Sequence, residues 1–66
     1  MTVIEAYKTE CFIQNREIPF IAILNKETDK AELDYADEYL ETHHDFEVSK
    51  SVFVEKHNCV YIELVD

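Results

Sequence analysis

The apolar positions of this chain fall into short runs separated by polar breaks, and the spacing within each run predicts an element. In residues 2–13, TVIEAYKTECFI, Val3, Tyr7, Cys11 and Ile13 share one parity, and Ile4, Ala6 and Phe12 share the other. This alternation predicts a first strand, with a bulge where the parity slips. QNRE (14–17) reads as a hairpin turn. IPFIAIL (18–24) is apolar on both faces and predicts a second strand. Pro19 cannot donate a ladder hydrogen bond, so it belongs at the strand start or on an edge.

NKETDK (25–30) leads into a helix expected over about 29–43, capped by Thr28 or by Asp29, whose spacing to Glu32 is that of a capping box. Leu33, Ala36, Leu40 and His43 recur at helical spacing and predict the face that docks on a sheet, widened by Tyr35 and Tyr39. FEVSKSVFVE (46–55) alternates, with Phe46, Val48, Val52 and Val54 sharing a face. KHN (56–58) is a short turn. CVYIELVD (59–66) alternates again, with Val60, Ile62 and Leu64 together. The expected architecture is a single α+β domain over residues 1–66. It has one antiparallel sheet of about four strands in the order β-β-α-β-β and one helix on one sheet face. The other face is left partly solvated or covered by a partner.

The chain contains no glycine, so turns that need a left-handed residue must use Asn or Asp. Asn15, Asn25 and Asn58 sit between apolar runs and are the expected positions.

Composition narrows the function. With 47% hydrophobic residues, the chain has material for a core despite a net charge of −9. A core one layer thick leaves little room for a deep ligand cleft. Fifteen acidic residues against six Lys and Arg repel nucleic-acid phosphates and anionic membranes, and favour basic protein surfaces. No segment has the length and apolarity of a membrane span, and Met1–Glu5 lacks the start of a signal peptide, so a cytoplasmic location is expected. In that compartment Cys11 and Cys59 are expected as free thiols.

The acids concentrate in ELDYADEYLETHHDFE (32–47), where seven of sixteen residues are acidic and none is Lys or Arg. On the expected helix, Asp34, Asp37, Glu38, Glu41 and Asp45 lie opposite Leu33, Ala36 and Leu40. Like charges at i+3 and i+4 each cost a few tenths of a kcal/mol. Two readings stay open: a solubilising face, or a row of carboxylates that meets a basic partner surface, with strict DNA mimicry as the extreme case. Tyr35 and Tyr39 either pack on the sheet edge or stand as aromatic anchors amid the acids.

Catalytic and metal chemistry find little support in the residue pattern. His43, His44, His57, Cys11 and Cys59 lack the Cys-x2-Cys or His-x3-His spacings of zinc sites. Cys59 and His57 lie two apart, yet a nucleophilic thiol also needs an oxyanion site and a pocket. Phosphate-binding and dinucleotide fingerprints are missing. The expectation is a non-enzyme without metal or cofactor and without direct nucleic-acid binding. His43 is expected to cap the helix C-terminus, where positive charge is favoured.

IPFIAI before the expected helix and DFEVSK after it resemble the small RNA-polymerase inhibitors of T-odd coliphages, over roughly residues 12–50. That family has a hairpin, one helix rich in Glu, Ala and Leu, and a strand opening with a similar Phe-Glu-Val segment. The resemblance implies that Lys50, at the position of the family's basic residue after Phe-Glu-Val, contacts a partner. Val52 stands near the family's further arginine, and strand 59–66 has no counterpart there. More broadly, a small, acidic, cleftless protein resembles phage-encoded or mobile-element inhibitors of host enzymes. The implied partner is a host protein with a basic surface: RNA polymerase, a nuclease or another defence enzyme. Its expected contact set is Asp34, Asp37, Glu38, Glu41, Asp45, Tyr35, Tyr39 and Lys50. Alternatives left open are strand pairing or a homodimer, an assembly protein acting through homo-oligomers, and an antitoxin-like neutraliser of a toxin.

Overall fold

The computed structural model describes all residues, 1–66. Its elements run α1 (Val3–Gln14), β1 (Phe20–Asn25), β2 (Lys30–Tyr35), α2 (Ala36–His43), β3 (Val48–Val54) and β4 (Cys59–Leu64), with one 3-10 turn at Glu55–His57. The fold is α+β with a single four-stranded sheet in the order β2-β1-β4-β3. The sheet is mixed rather than wholly antiparallel: β1 and β4, at its centre, run parallel. The β1–β2 and β3–β4 pairs are antiparallel hairpins.

Two expected elements change type. Residues 3–14 form a helix, not a strand. Thr2 accepts a hydrogen bond from the Glu5 backbone N–H, and the Glu5 carboxylate accepts one from the Thr2 N–H at 2.8 Å, a reciprocal capping box. Val3, Ala6, Tyr7 and Cys11 then recur at helical spacing on the face that meets the core. Asn15 ends the helix in the left-handed region (φ 58°), and Arg16 N–H closes on the Cys11 carbonyl. QNRE is thus a helix end rather than a hairpin turn.

The second change falls on residues 30–35, expected as the first half of a helix. They form β2, paired along its whole length with β1, from Asn25↔Lys30 to Phe20↔Tyr35. Asp29 does not cap a helix. It takes a left-handed turn conformation (φ 58°) in the connection between the strands. Asn15 and Asn58 hold positive φ as expected, whereas Asn25 does not; its side-chain oxygen instead accepts from Glu27 N–H at 3.0 Å.

Both helices lie on one face of the sheet. Val3 from α1 and Ala36 and Tyr39 from α2 pack with Ile18, Ile21, Val60 and Ile62 into one buried cluster. Full burial of each Ile or Val side chain contributes about 1.5–3 kcal/mol. Val60, Ile62 and Leu64 share this face as expected. In β3 a register shift between Val48 and Lys50 breaks the alternation. Val48 and Phe53 therefore face the helices, and Val52 and Val54 face away. Phe46 precedes the strand and is exposed, so the expected common face of Phe46, Val48, Val52 and Val54 does not form.

No helix covers the opposite face. By strand parity and register it carries Phe20, Leu33, Tyr35, Val52, Val54 and Tyr61, and the Phe20 and Tyr35 rings meet there at 5.6 Å between centroids. No helix is long and apolar enough to cross a membrane.

Candidate functional site

The expected acidic contact set divides among a strand, a helix and a turn. Asp34 lies on edge strand β2, opposite Ile21, so its side chain points to the helix side of the sheet. Asp37, Glu38 and Glu41 lie on the exposed surface of α2. Asp45 follows in the turn before β3. All five carboxylates are exposed, and none forms an ion pair; the two ion pairs in the molecule are the N-terminal amine with Glu47 and Lys26 with Asp66. Asp37 accepts only the Glu38 backbone N–H, at 2.9 Å. The acidic run is therefore shorter as a helix than expected, and its carboxylates lie exposed and without ion pairs on β2, on α2 and in the turn after it.

The two tyrosines part company. Tyr35 is 57% exposed, on the open side of β2 beside Leu33, itself 55% exposed. Leu33 was expected in the docking face of a helix. As a strand residue it points away from both helices. Tyr39 is not an exposed anchor: it is only 6% exposed and stacks on His43, with centroids 4.3 Å apart and planes 6° from parallel. Burial, and then the charge of Asp34, push the Tyr39 phenol above its ordinary pKa. Its hydroxyl is buried without a hydrogen-bond partner. Ala36 and Leu40 do pack on the core as expected.

Lys50 is not brought to this surface. It lies on β3, opposite Glu63, at the other edge of the sheet. Three strand spacings, about 14 Å, separate the two edges.

At the end of α2, Thr42 Oγ1 and His43 Nδ1 lie 2.6 Å apart, and His44 Nδ1 lies 3.1 Å from the Leu40 carbonyl. The residue that meets a helix carbonyl is thus His44, not His43.

The remaining reactive groups stay apart. Cys11 is on the inner face of α1, whereas Cys59 is buried on β4, and both are free thiols. Burial pushes the Cys59 thiol upward in pKa, the opposite of what a nucleophile needs. No three His, Cys, Asp or Glu side chains converge as metal ligands would.

Sequence reasoning missed a cleft between α2 and the β1–β2 hairpin. It has a volume of about 370 Å³ and is lined by Ile23, Asn25, Glu32, Asp34, Tyr39 and His43, among others. The available signal was the period-2 alternation of Lys30, Glu32 and Asp34 with Ala31, Leu33 and Tyr35, which places Glu32 and Asp34 on one side of a strand. Comparison with protein-family models, with curated proteins and with solved structures finds no match to this chain.

Proposed function

We propose that this chain is a binding protein that works by covering a basic surface of another protein, without catalytic chemistry of its own. The observation that carries this reading is edge strand β2, all six residues of which are exposed. Leu33 and Tyr35 stand on its open side, and unpaired Glu32 and Asp34 on the other. Asp37, Glu38 and Glu41 extend the charge along α2. Apolar anchors beside uncompensated carboxylates suit a partner with basic residues around an apolar centre. A host nucleic-acid-processing or defence enzyme, inhibited by occlusion of its basic groove, is the target class that this chemistry favours. The same chemistry suits an antitoxin-like protein that neutralises a basic toxin.

The test compares wild type with the charge-reversed variant D37K/E38K/E41K and with L33S/Y35S, as immobilised baits in bacterial lysate washed at rising salt. One stoichiometric basic partner, lost in both variants and released by salt, is the expected result. A partner retained by the charge-reversed variant at high salt would show that the acidic face serves solubility alone.

A second reading rests on the bare backbone of β2. Its six residues pair with β1 in unbroken register, without bulge or proline, and its outer edge is open to pairing with a partner strand or a second copy. Such binding would be insensitive to salt and abolished by Leu33→Pro.

A further inference from the structure

The cleft between α2 and β2 combines features that the covering surface alone does not require. Glu32 and Asp34 point to the same side of β2, about 7 Å apart along the strand from their two-residue spacing. Glu32 accepts one hydrogen bond, from Asn25 Nδ2 at 3.0 Å, and Asp34 accepts the Tyr35 backbone N–H at 2.8 Å. Neither has a cation. Tyr39, lining the same cleft, carries the one buried side-chain polar atom in the molecule that has no partner. A hydroxyl in that state loses its hydration without a replacement. The cleft thus offers acceptors for two or more charge-assisted N–H donors, and Ile23, on the same sheet face as the two carboxylates, gives it an apolar wall beside the Tyr39 ring.

We propose that this cleft receives a guanidinium group, and that an arginine side chain of the protein partner inferred above supplies it. Only the source of the arginine rests on that earlier reading. The planar guanidinium presents five N–H donors on separate edges, so it can bridge two carboxylates and still donate to the Tyr39 hydroxyl oxygen. An ammonium is a compact point charge and reaches fewer of these acceptors at once. The volume of about 370 Å³ also leaves room for the aliphatic stem along the apolar wall. With burial and the Asp34 charge holding Tyr39 protonated, the phenol stays neutral and keeps both a donor and an acceptor for the site.

The test is a two-dimensional ¹⁵N NMR titration of the whole chain with N-acetyl-arginine amide, N-acetyl-lysine amide, free arginine and a short arginine-containing peptide. The expected result is saturable shifts confined to Ile23, Glu32–Asp34, Tyr39 and His43, with the lysine compound at least tenfold weaker. E32Q/D34N, checked for unchanged spectral dispersion, should weaken binding at least tenfold. Tyr39→Phe should weaken it several-fold while leaving the carboxylates in place. Shifts scattered over the acidic surface, equal response to lysine and arginine, or full binding by E32Q/D34N would overturn the site. Free arginine binding more tightly than the peptide would overturn the protein source. If E32Q/D34N still captures a basic partner at wild-type affinity, arginine insertion fails and the covering function stands. If the titration succeeds but no basic partner is captured, the covering function fails and the guanidinium site stands.

Discussion

Replacing Tyr39 by Phe removes one oxygen atom and leaves the ring that stacks on His43 in place. In the unfolded chain the hydroxyl is hydrated; in the folded chain it is buried without a partner. Its removal should therefore raise stability, by about 1 kcal/mol from the lower end of the range for unsatisfied buried groups. In a domain of this size about 1 kcal/mol moves the thermal midpoint by roughly 4–8 °C. With an m-value near 1 kcal/mol/M, the urea midpoint should rise by about 1 M. Circular dichroism followed through heat and urea denaturation reads both. Tyr7→Phe is the control, because the Tyr7 hydroxyl donates to the Ile18 carbonyl at 2.6 Å. The same chemical change there should lower stability by about 1 kcal/mol. A Tyr39→Phe midpoint that stays put or falls would refute the reasoning, since the hydroxyl would then be satisfied in the folded chain. A rise would mean that the chain keeps a destabilising group at the cleft where its proposed ligand binds.

Thr2→Ala removes the capping box of α1 and should cost about 0.5–2 kcal/mol, read as a lower urea midpoint, while Thr9→Ala, on the same helix, should cost less. At high pH, burial first and Cys11 second push Tyr7 up to about 12, and the hydrogen bond to Glu63 raises Tyr61. A raised tyrosine pKa means that the folded chain holds its proton more tightly than the unfolded chain. The stability this gives is present below pH 10 and is lost as pH rises towards 12. Urea midpoints measured across that window should fall, and a flat profile would contradict the raised values.

How far the fold was legible depended on which local signal was allowed to win. Strands β1, β3 and β4 were read from alternation and apolar content, and Asn15 and Asn58 were read as left-handed positions from the lack of glycine. In residues 3–14 the two-residue parity of Val3, Tyr7, Cys11 and Ile13 competes with the cap Thr2-x-x-Glu5 and the helical spacing of Val3, Ala6, Tyr7 and Cys11, and the helix wins. The exposed Phe12 and Ile13 at the end of α1 blur that helix's apolar stripe and make the pattern ambiguous. In residues 30–35, two periodicities coexist. Leu33, Ala36 and Leu40 fit a helix, and Ala31, Leu33 and Tyr35 fit a strand; pairing with the apolar β1 decides between them. That choice depends on the neighbouring strand rather than on residues 30–35 themselves, and the parallel seam between β1 and β4 joins residues too far apart to leave a local signature. For the site, the exposed carboxylates were legible from composition. The burial of Tyr39 and the remoteness of Lys50 depended on where a strand gives way to a helix and on the order of strands in the sheet.

The parallel seam has a consequence for how the molecule assembles. Each antiparallel pair is a hairpin that can close from near neighbours in the chain, but residues 20–23 must find residues 59–62 across the intervening helix and hairpin. The seam thus carries a loop-closure cost that neither hairpin does. Until it closes, β1 is itself a bare apolar edge. On a ribosome, β1 is made well before β4, so the nascent chain carries that edge until residues 59–62 have emerged and docked. The window in which this chain can mispair therefore lasts until β4 docks beside β1, whatever the stability of the finished fold.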